Sequence, residues 1–343
     1  MDRLIIAFLI AFMVSYFSMP FVKKLAYKIN AIDIPKDNRR VHKKPIPRLG
    51  GVAIFLGFSV AMLVSLDIST KLIGLLIGIS IIIVLGIIDD IKEISAKIKL
   101  LGQITAALTV IAFGIKINFV TNPFVFSGGE YLFLGYLSIP ITIIWIVGIT
   151  NTVNLIDGLD GLAGGVSAIS AITLTFIAFY NKQYDAAILL IALAGGALGF
   201  LPYNFNPAKI FMGDTGALFL GYVLAVVSIE GVIKSYAALA IFVPVLALGL
   251  PIFDTTFAIL RRAKNKKPIM QADKGHLHHR LLDKGLSQKQ TVLIMYAISC
   301  FLGISAVLLT QATKFECIMV IVLNLIIITY GIKRLKLLSS MDE

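Results

Sequence analysis

Charge is what this 343-residue chain has least of. Asp, Glu, Lys and Arg together make up 15% of it, where a soluble domain carries about a quarter. With 58% hydrophobic residues and a mean hydropathy of +0.92, that deficit excludes an ordinary soluble domain. Cysteine is nearly missing too. Cys300 and Cys317 lie in separate apolar stretches near the end, which gives neither a disulfide framework nor metal-ligand spacing. No internal repeat, low-complexity segment or appended soluble domain is visible. The first apolar run leads into a basic loop without a small-residue cleavage site, so no cleavable leader is expected.

Long apolar runs are abundant, each able to cross a bilayer as a helix. Eleven spans are expected, at about 4–22, 50–66, 72–88, 99–115, 136–156, 162–180, 186–203, 211–229, 236–260, 290–310 and 315–332. The predicted fold is an all-α polytopic membrane protein, a single integral-membrane domain over 1–343. Pro244 and Pro251 predict a kinked or broken helix in 236–260. Segment 116–135, with Asn122-Pro123 and Ser127-Gly128-Gly129 between β-favouring residues, predicts a small hairpin. Assigning alternate loops to two sides puts 25 of the 31 lysines and arginines on one side. By the positive-inside rule the N-terminus is outside and the C-terminus cytoplasmic. A net charge of +12 placed in this way reads as membrane topology and not as a nucleic-acid surface.

Every dense polar cluster falls on the basic side. The richest is 151–165, where Asn151, Asn154, Asp157 and Asp160 lie among four glycines between long uncharged runs. Ionisable groups at a membrane edge imply a site by default, and small residues let a ligand approach the backbone. Asp157 and Asp160, three apart, would share one face of a helical turn, and Asp160 could instead cap the following span. Asp89-Asp90 closes the third span. Adjacent carboxylates repel, so a divalent cation or a basic group must hold them together. Lys92, Lys97 and Lys99 follow closely, and alone the pair would read as a solvated helix end.

The stretch 204–216 contains Asn204, Phe211 and an Asp between glycines, Gly213-Asp214-Thr215-Gly216, at the start of a span. That setting suits a hard cation such as Mg²⁺ and, with a helix N-terminus nearby, phosphate oxygens. His276-Leu277-His278-His279-Arg280 holds three of the four histidines in a basic loop without cysteine, a surface better suited to a diphosphate than to zinc. The first inner loop, Arg39 to Gly51, is basic and proline-stiffened. It would lead anionic ligands past Arg48 to a Gly-Gly helix start.

Taken together, the clusters resemble the polyprenyl-phosphate N-acetylhexosamine-1-phosphate transferases. The shared motifs run in order: Pro-Arg-Leu-Gly-Gly at 47–51, Asp-Asp at 89–90, Asn-x-x-Asn-x-x-Asp-Gly-x-Asp-Gly-Leu-Ala at 151–163, Phe-Met-Gly-Asp-x-Gly at 211–216 and His-x-His-His at 276–279. The resemblance implies attack by a lipid phosphate on the β-phosphate of a UDP-sugar, with release of UMP and a requirement for Mg²⁺, for which Mn²⁺ could substitute. It makes Asp214 the leading metal ligand and Asn154 a second. Asp89 and Asp90 would activate or orient the lipid phosphate, with Lys99 as a phosphate contact. Asn204 and Asp160 would help bind the nucleotide beside Gly158 and Leu159, and Phe211 would lie near uracil. His276, His278, His279, Arg280 and Arg48 would hold the diphosphate. Asp157 joins Asp89, Asp90 and Asp160 among the catalytic acids, with the division of labour left open.

The first loop and the interrupted histidine run look like the GlcNAc-1-phosphate branch that initiates teichoic acid, O-antigen or enterobacterial common antigen. The alternative within the family is the MurNAc-pentapeptide donor. Ala217 stands where the family commonly has Ser. The expected partners are a UDP-sugar, a polyprenyl phosphate and the cytoplasmic membrane, with the site on its cytoplasmic face. No nucleic acid is expected, and a homodimer is left open. A secondary transporter would need acids near the bilayer midplane and internal repeats, and this chain has its acids at one interface.

Overall fold

The computed structural model describes residues 1–34, 45–121, 131–233, 242–266 and 275–335. Its helices are α1 (Asp2–Lys28), α2 (Gly51–Ser65), α3 (Thr70–Lys92), α4 (Ala96–Ala112), α5 (Ser138–Ile156), α6 (Leu162–Tyr180), α7 (Tyr184–Asn204), α8 (Gly213–Ser228), α9 (Phe242–Ala247), α10 (Gly249–Lys264), α11 (Leu277–Asp283), α12 (Gln288–Gln311) and α13 (Lys314–Leu335). Eight helical stretches among the described residues, α1, α3, α5 to α7, α8 with its π-helical continuation Ile229–Ile233, α12 and α13, are long and apolar enough to cross a membrane. The chain is a polytopic helical membrane protein.

Ten of the eleven apolar stretches, and the described part of 236–260, fall largely on helix, but three of the helical segments are shorter than a full crossing. Helix α2 has 15 residues and α4 has 17. The stretch 236–260 is broken at Leu248 between α9 and α10, each carrying one of the two prolines. Two short ladders accompany the helices, one of them not anticipated. Strands β1 (Ile32–Asp33) and β2 (Ile46–Pro47) pair antiparallel, as do β3 (Phe119–Thr121) and β4 (Tyr131–Phe133). The second ladder is the hairpin expected in 116–135; its tip, 122–130, lies outside the described residues.

Helices in lipid gain little from hydrophobic burial against one another, so close backbone approach through small residues does much of the packing. Helix α8 is the centre, in contact with α2, α3, α5, α6 and α7. Its N-terminal turn is gripped by glycines. A Cβ on Gly51 of α2 would run into the Gly216 backbone, and one on Gly86 of α3 would run into Thr215. Those two contacts bring the start of α2 and the end of α3 against the start of α8, across more than a hundred residues of sequence. Helix α1 closes the flank through a face of Ala7, Ala11, Ser15, Met19, Val22 and Ala26, with the Ser15 hydroxyl donating to the Gly196 carbonyl at 2.8 Å.

Helix direction then decides where the polar ends meet. The C-terminal ends of α3, α5 and α7 and the N-terminal ends of α4, α6 and α8 open into one cavity of about 1290 Å³. The chain from 47 to 51 is laced onto 211–212: the Phe211 amide donates to the Pro47 carbonyl at 2.8 Å, and the Gly50 and Gly51 amides donate to Phe211 and Met212, both at 2.9 Å. Arg48 is thereby fixed beside the start of α8.

Candidate active site

Asp89 and Asp90 close α3, and the structure gives them different jobs. Asp89 borders the cavity. Its Oδ1 accepts from the Ile94 amide at 2.8 Å and its Oδ2 lies 2.7 Å from Lys99 Nζ. Lys99, in the first turn of α4, also reaches Asp214 Oδ2 at 2.5 Å. One ammonium therefore bridges two carboxylates on the cavity wall. The basic partners expected for the acid pair are present and separate, Lys99 for Asp89 and Arg48 for Asp90.

Asp90 turns away from the cavity, and its side chain is fully buried. Oδ1 accepts from the Asp214 amide at 2.9 Å; Oδ2 accepts from the Thr215 amide at 3.1 Å and the Thr215 hydroxyl at 2.6 Å. Arg48 Nη2 stands 3.5 Å from Oδ1. The first N–H groups of a helix lack partners within it, and those of α8 are met by a carboxylate from α3. Asp90 holds Asp214 in place from behind the cavity wall.

The second wall is the turn 157–161. Helix α5 ends at Ile156, so Asp157 and Asp160 do not share a helical face as the spacing predicted. Nor does Asp160 cap α6, since Gly161 holds that position. Asp160 Oδ2 instead accepts from Asn206 Nδ2 at 2.9 Å and the Ala208 amide at 3.0 Å. Asn204 reciprocates: its Oδ1 accepts from the Gly161 amide and its Nδ2 donates to the Ile210 carbonyl, both at 3.0 Å. Both residues border the cavity, yet these atoms stitch one loop to the other. Asn154, Gly158, Leu159 and Phe211 also border it. Asn151 does not: it pairs with Gln103 of α4.

Burial pushes the Asp157 carboxyl up to about 7, with repulsion from Asp214 and Asp90 adding to the effect and Arg48 opposing it. The unfolded value is about 3.9. Between the two the folded protein binds more protons than the unfolded, so this group lowers stability as pH rises through that window. Asp157→Asn should flatten the fall in thermal midpoint between about pH 4 and pH 7, read in detergent against wild type. Parallel curves for the two proteins would show that Asp157 is not the group responsible.

The histidine tract is placed differently from expectation. Of His276, His278, His279 and Arg280, only His279 borders the cavity. His276 is buried, with Nδ1 2.8 Å from Asp254 Oδ2. His278 is buried against Gly158, where a Cβ would come within 2.6 Å of its Nε2. Burial, reinforced by the neighbouring His279, pushes the His278 imidazole down to about 3, so it is neutral. Arg280 Nε donates to the Gly275 carbonyl at 3.2 Å. These three build the platform and His279 faces the cavity.

Asp254 was not legible as a functional residue in the sequence. It stands alone in an apolar helix, with no motif around it. Its Oδ1 accepts from the Leu277 amide at 2.7 Å, so it caps α11 from outside as well as holding His276. Asp254→Ala leaves two buried donors without a partner, at about 1–3 kcal/mol each. It should lower the thermal midpoint and loosen α11, with amide exchange at Leu277 as the local readout; unchanged exchange there would contradict this assignment.

Among the described residues, no group of three or more His, Cys, Asp or Glu converges as a metal cage. Oxygen donors at the cavity, beside the basic groups that also border it, include Asp89, Asn154, Asp157 and Asp214. Such a set fits a hard cation that keeps waters and substrate phosphates among its ligands, as Mg²⁺ does. It does not fit the thiolate or multi-histidine cage that zinc or copper takes.

Comparison with known proteins gives the family. The profile of glycosyl transferase family 4 matches residues 72–232, a stretch containing Asp89, Lys99, Asp157 and Asp214. The chain is 44% identical over 327 residues to the probable undecaprenyl-phosphate N-acetylglucosaminyl 1-phosphate transferase of Bacillus subtilis (strain 168), covering 95% of this chain and 90% of that protein. It is 35% identical over 316 residues to the decaprenyl-phosphate N-acetylglucosaminephosphotransferase of Mycobacterium tuberculosis (strain ATCC 25618 / H37Rv), covering 84% and 78%. It is 30% identical over 319 residues to the phospho-N-acetylmuramoyl-pentapeptide-transferase of Bacillus subtilis (strain 168), covering 88% and 94%. Fold and site together define an integral-membrane transferase with a charged cavity at one end of a helix bundle. The chain belongs to glycosyl transferase family 4.

Proposed function

We propose that the chain transfers GlcNAc-1-phosphate from UDP-GlcNAc to undecaprenyl phosphate, releasing UMP and forming undecaprenyl-diphosphate-GlcNAc. This would be the first lipid-linked step of a cell-envelope polysaccharide of the teichoic acid or O-antigen kind. The observation that carries the reading is the Lys99 bridge between Asp89 and Asp214 on the cavity wall. The relatives' names direct it to GlcNAc and a polyprenyl phosphate.

In the reaction an oxygen of the lipid phosphate bonds to the β-phosphorus. The bond from that phosphorus to the bridging oxygen breaks, and its electron pair leaves with UMP. Such a transfer needs positioning and charge neutralisation more than covalent help. Asp89 and Lys99 orient the attacking phosphate, His279 and Arg48 meet the diphosphate, and Phe211, Gly158 and Leu159 border the nucleotide. Asp214, with Asn154, would hold Mg²⁺, or Mn²⁺ in its place; the cation supplies neutralisation of diphosphate charge. A covalent route would use Asp89, since Asp90 is turned from the cavity.

The proposed topology has eleven crossings, an outer N-terminus and a cytoplasmic C-terminus, with the cavity on the cytoplasmic face of the cytoplasmic membrane. It is supported by the one-sided placement of Lys and Arg, including Lys23, Arg48, Lys99 and Lys209 around the cavity. Donor competition tests the substrate. Offered UDP-GlcNAc and UDP-MurNAc-pentapeptide together with undecaprenyl phosphate, the purified protein should give lipid carrying GlcNAc-phosphate. Lipid carrying the MurNAc-pentapeptide would assign it the other donor.

A further inference from the structure

We propose that Gln103 and Asn151 form a register pin between α4 and α5 that sets the position of Lys99, making both of them positioning residues of the active site. The inference rests on the reading of Lys99 given above. Gln103 is buried on α4, one helical turn beyond Lys99 and on the same face. Asn151 is on α5, three residues before Asn154, which borders the cavity.

The two amides exchange hydrogen bonds in both directions. Asn151 Nδ2 donates to Gln103 Oε1 at 2.6 Å, and Gln103 Nε2 donates to Asn151 Oδ1 at 3.3 Å. A second bond from Asn151 Nδ2 to the Val147 carbonyl, at 2.8 Å, fixes its rotamer. Each amide thus has its donor and acceptor defined by the other. Slipping α4 by one residue against α5 would leave both unpaired in an apolar surround, where an unmade hydrogen bond is costly.

A lysine needs such a device. Its four-carbon stem is flexible, and Lys99 must meet two carboxylates from two other helices, Asp89 of α3 and Asp214 of α8. Helix α4 is tied to α8 one turn further along, by the Tyr222 hydroxyl donating to the Ala106 carbonyl at 2.9 Å. The amide pair adds the tie to α5. With both in place the stem of Lys99 starts from a fixed point, and the ammonium lands between the two acids. This also accounts for Asn151, which unlike Asn154, Asp157 and Asp160 does not border the cavity.

The test uses the full-length protein in detergent, with Gln103→Met as the first variant. It is expected to lower kcat about tenfold or more while KM for UDP-GlcNAc stays within about twofold. The same substitution in a Lys99→Ala background should cost nothing further, because the pin acts through that lysine. Acylation of Lys99 by acetic anhydride, read by peptide mass spectrometry, should rise several-fold in Gln103→Met. The exchanged pair, Gln103→Asn with Asn151→Gln, should restore protection. If Gln103→Met does not fold, Asn151→Leu and the exchanged pair carry the same readouts. Equal fold-losses in the two backgrounds, or unchanged Lys99 acylation, would overturn the proposal. Wild-type protein that releases no UMP from UDP-GlcNAc would strike the proposed substrate, and the acylation result would still stand by itself.

Discussion

Asp214→Ala should stop UMP release from UDP-GlcNAc, with kcat lower by about 10³-fold, while the protein keeps its fold. Removal of one preorganised charged group from a transfer site costs about 10²–10³ in rate, and Asp214 has two functions there. Its carboxylate is half the partner set of Lys99 and the leading candidate to hold the cation. The fold survives because the part of residue 214 that joins helices is its amide, bonded to Asp90 Oδ1, and alanine keeps that amide. Steady-state UMP release and a thermal midpoint, measured on one preparation, check both halves. Turnover near wild type would remove Asp214 from the mechanism.

Asp90→Asn should also abolish turnover, by a different route and with a different signature. Three donors, the amides of Asp214 and Thr215 and the Thr215 hydroxyl, converge on the two oxygens of Asp90. An asparagine has one oxygen, and its NH₂ must face at least one of these donors. Arg48, at 3.5 Å, also loses its counter-charge. Leaving buried donors unmet costs about 1–3 kcal/mol, and more next to a charge, so Asp90→Asn should lower the thermal midpoint clearly where Asp214→Ala does not. The active-site loss follows from the start of α8 shifting, since a misplacement of about 1 Å can cost 10²-fold in rate. A stable, inactive Asp90→Asn protein would point to direct chemistry at Asp90.

These two carboxylates show what was legible beforehand and what was not. That Asp89-Asp90 ends a span beside basic residues could be read locally, and so could the break at the two prolines and the hairpin in 116–135. Which of the adjacent acids faces the cavity could not. That choice depends on glycines at 51, 86 and 216 letting α8 approach α2 and α3, a contact between segments far apart in sequence. The same limit applies at Asp160 and Asn204. Their residue types and spacing suggested ligand contact, and both do border the cavity, but that Asp160 Oδ2 and Asn204 Oδ1 also accept from amides of the opposite loop could not be read.

The histidine tract illustrates a second limit. Spacing showed a cluster, but buried His276 is held by Asp254, a lone acid with no local signature, and His278 packs on Gly158 of a distant turn. Short ladders such as β1 with β2 carry too few residues for any alternation to register.

The central claim is that a sugar phosphate, and not a bare sugar, passes to the lipid within this cavity. It is tested most directly by following the β-phosphorus. Purified protein is given UDP-GlcNAc labelled at that phosphorus, undecaprenyl phosphate and Mg²⁺. The label should move into lipid diphosphate as unlabelled UMP appears in equal amount. Label remaining in released UDP, with unlabelled sugar on the lipid, would contradict the account.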